Sequence, residues 1–406
     1  MNINLNTLLR LTAELTTDEN QQTRVAAVET MVLFSEIIKQ EEKLPYLIPI
    51  VKSLAKDKTE EEHRVQAAVL LGRLAESFGA EYIELYAFSI FQLLATDSGH
   101  RVRKAAASQI KNLCLVTREK GELMDKLIEI TQALSLDEVW GVRKASCDAF
   151  PAICGALQAE DQKEKRNHLV QFYLKMLQDS SRWVKSAAFQ YLGPLIASFA
   201  NADSVHPDLL EAFKTMPHVA LTTGDNQISV HCAFNFPAVF LTLGAESWAK
   251  LGGLYKTLNS DLQFKVRRSL SFSIHEIAKI MGTEMCEQNL LDIFDGFFND
   301  IEEVKIGVVT HLSEFIAVLS PSKRNQFLQY VKQIQIEPTK WRLRKLLANQ
   351  LPQLANLYDS KVVLESLLPI TLLLASDNFH IVRKKTCSGV RTPFFFGKFI
   401  LSKLFF

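Results

Sequence analysis

Turn-forming residues and cysteine pairs are scarce in this chain of 406 residues. It has only 16 glycines and 12 prolines, too few for the many tight turns of a β-sandwich, a barrel or a doubly wound sheet. Its six cysteines form no C-x-x-C pair and are too sparse for a disulfide framework. These shortages predict a helical protein of a reducing compartment, which places it in the cytoplasm, with the nucleus as a further location.

An excess of charge of one sign is also lacking. The chain has 46 lysines and arginines against 45 aspartates and glutamates, so it offers no broad basic field to a nucleic acid or an anionic membrane. The first residues, MNINLNTLLRLTAELTTDEN, do not have the pattern of a secretory signal. No apolar stretch reaches the roughly 18 to 20 residues that a membrane helix needs. We therefore expect no nucleic-acid partner and no membrane insertion.

One pattern recurs along most of the chain: an apolar segment, a short turn that usually contains aspartate, and then V-R/K-x-x-A at the start of a second apolar segment. Successive copies are 36 to 46 residues apart, and most are 38 to 40 residues apart. A period of this length is typical of stacked helix pairs. The basic position of the ten copies is occupied by Arg24, Arg64, Arg103, Arg143, Lys185, His231, Arg267, Lys305, Arg344 and Arg383.

The second segment of each repeat keeps apolar residues at an anchor position and 4, 8, 11 and 12 residues later, which is one face of a helix. Repeat three has Val102, Ala106, Ile110, Leu113 and Cys114, and repeat seven has Val266, Leu270, Ile274, Ile277 and Ala278. Such a pair can bury its apolar stripe only against neighbouring pairs. The recurring D-x(4-5)-V-R unit is typical of HEAT repeats. The sequence therefore predicts an all-α fold, an α-α superhelix or HEAT/armadillo-like solenoid of about ten helix pairs.

The spacing and the register predict four regions. Residues 1–200 form five N-terminal repeats, residues 201–217 a polar connection, residues 218–388 five further repeats of which the last is incomplete, and residues 389–406 a Phe-rich tail. The tenth repeat opens with Asp377, Val382 and Arg383. Its packing positions then hold Thr386, Val390, Pro393 and Phe394, and proline and glycine end a helix. Either the natural chain continues in more repeats or the tail covers the last open face. The abrupt break favours a truncated chain.

No motif of an enzyme is present. The chain has no G-x-G-x-x-G, no G-x-x-x-x-G-K-[ST], no G-x-S-x-G and no zinc-ligand spacing. The nearest pattern is His275-Glu276, but a metalloprotease helix needs a second histidine where Lys279 stands. We therefore predict a non-enzyme with no cofactor and no metal, in which His275 faces a neighbouring helix.

The repeated aspartate and basic residue predict a structural ladder. An aspartate in the turn can cap the next helix, and the arginine near the start of that helix can reach the aspartate or carbonyl groups of the adjacent repeat. The predicted ladder residues are Asp97, Arg103, Asp137, Arg143, Lys185, Asp261, Arg267 and Arg344.

Three of the four tryptophans fall one or two residues before an anchor, in the turn inside a repeat. Turns face solvent, and exposed indoles beside charged residues have the composition of binding hot spots. An alternative is that each indole covers the end of its own helix pair. The predicted partner-binding set is Trp140, Asp179, Arg182, Trp183, Lys265, Arg268, Lys340 and Trp341, whereas Trp248 lies outside the turns.

Several segments resemble the family of regulatory subunit 1 of serine/threonine protein phosphatase 4, which is similar to the HEAT scaffold of protein phosphatase 2A. The resemblance extends from about residue 137 to 385 and implies a non-catalytic subunit that binds a phosphatase catalytic subunit through its intra-repeat turns and directs it to substrates. The segments are DEVWGVRKA (137–145), DSSRWVKSAAFQYLGPLIASFA (179–200), CAFNFPAVFLTLG (232–244), DLQFKVRRSLSFSIHEIAKIMG (261–282), DIEEVKIGVVTHLSEF (300–315) and KWRLRKLLANQL (340–351).

The chain departs from vertebrate-like members of that family in two respects. They carry a long acidic insertion where this chain has only a spacing of 46 residues, and they continue beyond the Phe-rich segment. The resemblance does not say which turns dock the catalytic subunit. Two other classes remain open: another HEAT binding module, either a transport receptor or a tubulin-binding array, and a HEAT-like enzyme, for which the sequence offers no ligand set.

Overall fold

The computed structural model describes residues 5–336 and 339–390, and these residues form helices joined by short turns. No strand occurs within those two ranges. The all-α prediction is confirmed, and the fold is that of a HEAT-type helical solenoid built from successive helix pairs.

The chain divides into two compact units, Met1–Met216 and Pro217–Phe406. In the first unit each repeat contributes a pair of helices. In two of the pairs the second helix is interrupted by a short turn and therefore counts as two helices. The helices are α1 Leu5–Leu15, α2 Gln21–Ile37, α3 Gln40–Ala55, α4 Glu61–Tyr82, α5 Phe88–Ala95, α6 His100–Ala107, α7 Ile110–Thr117, α8 Gly121–Ser135, α9 Trp140–Ser146, α10 Ala149–Ala156, α11 Lys163–Leu177 and α12 Arg182–Ala197. Ile83–Ala87 is a π-helical turn, and Glu160–Gln162 and Ala202–Ser204 are 3₁₀ turns.

The second unit begins inside α13, Pro207–Thr223. The remaining helices are α14 Gln227–Leu243, α15 Trp248–Asn259, α16 Phe264–Asn289, α17 Leu291–Phe298, α18 Glu302–Thr310, α19 Leu312–Val318, α20 Pro321–Ile336, α21 Trp341–Leu357, α22 Ser360–Val362, α23 Leu368–Ala375 and α24 His380–Val390. Ala245–Ser247 is a 3₁₀ turn and Val363–Leu367 a π-helical turn.

The apolar faces of the second helices form the core of each unit. At the five packing positions of repeats three, four, five, seven, eight and nine, no side chain is more than 3% exposed. The leucines eight residues before the anchors, Leu94, Leu134, Leu258 and Leu374, are equally buried on the first helices. A period of 3.6 residues places these positions on one face, so burying that face fixes which side of each helix meets its partner.

Glycine sets two features of the backbone. Gly79 inside α4 and Gly282 inside α16 have φ of 78° and 75°, in the left-handed region that other residues avoid, and there the second helix of one repeat ends and the next repeat begins. Gly307 on α18 lies against α16, where a Cβ atom would stand 2.1 Å from Ser271 Oγ and 2.8 Å from Phe272 N. Only glycine allows these two helices to approach so closely.

The segment predicted as a polar connection, residues 201–217, is partly helical in the structure. From Pro207 onward, the residues predicted as a polar connection belong to α13. Of the Phe-rich tail, only the start at Gly389 and Val390 is described, where it ends α24, so Pro393 and Phe394 lie outside the described residues. Within the described part of the chain, no helix is both long and apolar enough to cross a membrane.

Candidate partner-binding edge

A ladder of arginine–aspartate pairs joins consecutive repeats in the first unit. Each arginine donates from Nε and Nη2 to the two carboxylate oxygens of the aspartate in the next turn, at N–O distances of 2.6–3.1 Å. Planar guanidinium and carboxylate groups match in this bidentate geometry, which fixes direction as well as distance. The pairs are Arg64 with Asp97, Arg103 with Asp137, and Arg143 with Asp179.

The second unit contains the same element. Arg267 binds Asp300 and Arg344 binds Asp377 in the same bidentate way, at 2.6–3.2 Å. Asp261 is the aspartate of the turn that precedes Arg267 in the same repeat. Its carbonyl oxygen accepts from Arg267 Nη1 at 2.7 Å, and its carboxylate accepts from the Gln263 N–H. Lys185 differs from the predicted pattern, because within the described residues it makes no hydrogen bond to a carboxylate.

The ladder also shapes each turn. In three successive turns the aspartate Oδ1 accepts the N–H two residues later, from Gly99, Val139 and Ser181. Asp179, which the sequence places among the partner contacts, is therefore occupied by Arg143 and Ser181 within the chain. The sequence argument did not detect that Asp179 is the ladder residue following Asp137.

Hydrogen bonding lowers the pKa of two ladder carboxylates, Asp179 and Asp300. The guanidinium of Arg143 lowers the pKa of Asp179 against the opposing effect of burial, and Arg267 does the same for Asp300. A carboxyl with a lowered folded-state pKa stabilises the fold above its unfolded pKa, and that contribution is lost as the pH falls through the folded pKa.

We expect Asp179→Asn to lower the free energy of unfolding by roughly 1.5–3 kcal/mol at neutral pH, because a charge-assisted pair is lost. The difference from wild type should shrink below about pH 4, where the unfolded carboxylate becomes protonated and the wild-type pair then weakens. Denaturant unfolding of both proteins from pH 7 to pH 2 measures it. A difference that stays constant over this range would show that the pair contributes nothing electrostatic.

Trp140 and Trp183 lie in the intra-repeat turns of consecutive repeats, two residues and one residue before their anchors Val142 and Val184. Trp140 is the first residue of α9 and Trp183 the second residue of α12, and their side chains are 47% and 48% exposed. The Arg182 guanidinium is 4.5 Å from the Trp183 ring centroid and Lys144 Nζ is 5.9 Å from it. Cations at these distances are attracted by the ring face. We call Trp140, Lys144, Arg182 and Trp183 the aromatic turn edge.

The second unit also has predicted contact residues at its turns, where Lys265 and Arg268 are exposed and Lys340 and Trp341 are partly exposed. Trp341 begins α21 and stacks on Phe379 of the next repeat, with ring centroids 5.8 Å apart. Lys265 and Arg268 are exposed near the start of α16, and Lys340 precedes α21. Sequence reasoning did not select Leu262, Phe264 and Ile301, which are also exposed at turns of this unit. Their pattern of apolar residues just before an anchor would have identified them.

Trp248 has a different role, as its place outside the turns predicts. It is 8% exposed and contacts Phe240 and Tyr255 at centroid distances of 5.8 Å and 5.5 Å. It is therefore a core residue of the second unit, while Trp140 and Trp183 remain accessible. An accessible aromatic surface with adjacent cations suits recognition of another protein rather than catalysis.

Comparison with known proteins shows which family the chain is similar to. Residues 232–334 match the family model described as the protein phosphatase 4 regulatory subunit 1 middle domain. Serine/threonine-protein phosphatase 4 regulatory subunit 1 of Homo sapiens is 42% identical over 185 residues, which is 45% of this chain and 19% of the human protein. The Mus musculus protein gives the same values. Regulatory subunit 4 of Mus musculus is 20% identical over 326 residues, 74% of this chain and 36% of that protein.

Solved structures show the fold. A crystal structure of importin beta superposes with a TM-score of 0.70 at 12% identity, covering 98% of this chain and 54% of importin beta. A Kap121p mutant gives a TM-score of 0.58 at 12% identity, with 95% and 42% coverage. Identity this low carries the helical-repeat fold and nothing about function. The sequence matches are closer, and they confirm the predicted resemblance to the family of regulatory subunit 1 of protein phosphatase 4.

Proposed function

We propose that this chain is a non-catalytic regulatory or scaffold subunit that binds the catalytic subunit of a serine/threonine phosphatase of the protein phosphatase 4 type and directs it to substrates. The names of the curated relatives support it, since both groups are regulatory subunits of protein phosphatase 4. The aligned part spans about a fifth of the human protein, so the proposal concerns the repeats that this chain contains.

The aromatic turn edge is the observation that carries the proposal. Two indoles stand about half exposed in the turns of neighbouring repeats, and the described residues leave about half of each side chain open to solvent. The adjacent Arg103–Asp137 and Arg143–Asp179 pairs hold both turns in place. Rigid aromatic side chains on a fixed backbone lose little entropy on binding, which favours tryptophan as a hot-spot residue, and arginine is also frequent among such residues.

Co-purification from a native lysate tests the proposal. The tagged chain should recover a phosphatase catalytic subunit, identified by mass spectrometry. Trp140→Ala combined with Trp183→Ala should lose it, and Tyr86→Ala should retain it. Tyr86 is a matched control because it is an exposed aromatic of the same unit, in the π-helical turn Ile83–Ala87 rather than at an intra-repeat turn. Recovery of tubulin or a small GTPase in place of a phosphatase would contradict the proposal.

The purified chain alone should have no phosphatase, protease or nucleotide-hydrolysing activity, because the proposed role leaves chemistry to the bound subunit. Standard turnover assays on the isolated protein check this. A measurable rate that a single substitution such as His275→Ala abolishes would overturn the non-catalytic assignment.

A further inference from the structure

Three potential metal ligands converge between repeats seven and eight in the second unit. His275 lies on α16, His311 at the junction of α18 and α19, and Glu314 on α19. One ligand atom from each lies within 4.8 Å of the other two. The close approach of α16 and α18 at Gly307 brings the histidines of the two repeats together. Two imidazoles and a carboxylate are a donor set that Zn²⁺ and similar ions accept.

His275 is the fixed member of the cluster. It is only 5% exposed, and its Nδ1 lies near the Phe272 carbonyl without a well-aligned hydrogen bond. Its Nε2 is 3.8 Å from Glu314 Oε2. Burial, reinforced by the neighbouring His311, lowers the pKa of His275 to about 4.

Lys279 currently supplies the positive charge of the cluster. Its Nζ binds Glu314 Oε2, and His311 Nδ1 is 2.9 Å from Glu314 Oε1. These two contacts are the main reason that the pKa of Glu314 falls to about 2. Lys279 is about half exposed, and its side chain is long and flexible. It can therefore move into solvent if another cation takes its place.

We propose that His275, His311 and Glu314 form a binding site for a divalent transition-metal ion of the Zn²⁺ type, which displaces the Lys279 ammonium from Glu314. The three ligands leave a fourth position for water or for a group of a partner. The site lies outside the turn edges, and it does not depend on the proposed phosphatase partner.

Binding requires one rearrangement. The two imidazole rings stack in parallel, with centroids 3.9 Å apart and planes 5° from each other, so their in-plane lone pairs cannot meet at one ion. His311 is the ring that turns. It is partly exposed and stands at a helix break with φ −117° and ψ 24°, where it is not constrained by a regular helical turn. Rotation about its side-chain torsions costs little compared with moving the buried His275.

Cobalt absorption tests the site in the full chain. After treatment with chelator and its removal, Co²⁺ should bind one equivalent and give the visible absorption of a four- or five-coordinate site, and Zn²⁺ should displace it. His311→Ala and Glu314→Gln should each weaken binding at least about tenfold. Lys279→Met should tighten binding, because it removes the competing charge. His100→Ala, at an exposed histidine of the first unit, should leave affinity unchanged.

Circular dichroism on the same samples separates lost ligands from lost structure, and the partly exposed positions of His311 and Glu314 make those variants the informative ones. Three outcomes would overturn the proposal: no stoichiometric Co²⁺ binding, unchanged affinity in folded His311→Ala, or a sulfur-to-cobalt charge-transfer band that assigns the ion to a cysteine. Weaker binding by Lys279→Met would show that the lysine does not compete with the ion.

Discussion

Replacing Leu270 or Leu312 with alanine should lower the free energy of unfolding by about 2–5 kcal/mol, because each change leaves a cavity in a closely packed helix interface. Both side chains are fully buried on the second helices of repeats seven and eight. They occupy the +4 and +8 positions of the repeat register. A repeat that loses this contact weakens its own pair and the neighbouring interface, since stability in such arrays is shared between adjacent repeats.

Denaturant unfolding measures the change, and Leu262→Ala is the matched control. Leu262 is 98% exposed at the turn before α16, so its replacement should shift stability by less than about 0.5 kcal/mol. If Leu270→Ala or Leu312→Ala unfolds at the same denaturant concentration and with the same slope as wild type, the predicted packing face is not a core.

The second large effect concerns binding. Trp140→Ala combined with Trp183→Ala should weaken affinity for a phosphatase catalytic subunit by at least about 2 kcal/mol, roughly thirtyfold, because indoles buried at an interface are typical hot spots. Folding should change little, since both side chains are accessible in the isolated chain. Partner affinity and melting temperature should be measured on the same preparations.

Two controls define the interpretation. Tyr86→Ala should leave affinity unchanged, whereas Trp248→Ala should reduce the melting temperature because Trp248 is a core residue. The alternative that each turn indole only covers its own helix pair predicts the reverse for the double variant: a lower melting temperature with unchanged affinity. That result would remove the turn edge from the binding surface.

The repeated register was predictable because it depends on short-range periodicity. Positions such as Val102, Ala106 and Ile110 follow the helical period and are all buried. The spacing of aspartate and arginine along the chain likewise predicted ladder positions, and the structure shows bidentate pairs such as Arg103 with Asp137. Both patterns reflect the geometry inside one helix pair, and the chain repeats that pair about every 39 residues.

Contacts that depend on the relation between two helices were not predictable in the same way. His275 meets His311 only because Gly307 allows α16 and α18 to approach and because α18 and α19 are broken at His311. The two histidines occupy different positions of their repeats, so no shared spacing marks them as neighbours. The sequence consequently offered a single His-Glu pair where the structure has a cluster of three ligands.

The tryptophans also show how much the position in the repeat predicts. Position relative to the anchor distinguished Trp248 from Trp140 and Trp183, and the structure places the first in the core and the others at the surface. The exposed Leu262 and Phe264 stand in the corresponding turn of repeat seven, yet an argument built on tryptophans and neighbouring charged residues selected neither of them. Position in the repeat was therefore the better guide to exposure than residue type.

Hydrogen exchange of the purified chain with and without a purified phosphatase 4-type catalytic subunit tests the central claim most directly. Saturable binding should protect the backbone amides in residues 137–143 and 179–185, which contain the turns that carry Trp140 and Trp183. The amides around Tyr86, away from those turns, should exchange at an unchanged rate. No binding, or protection that leaves both turns unchanged, would contradict the assignment of this edge as the docking surface.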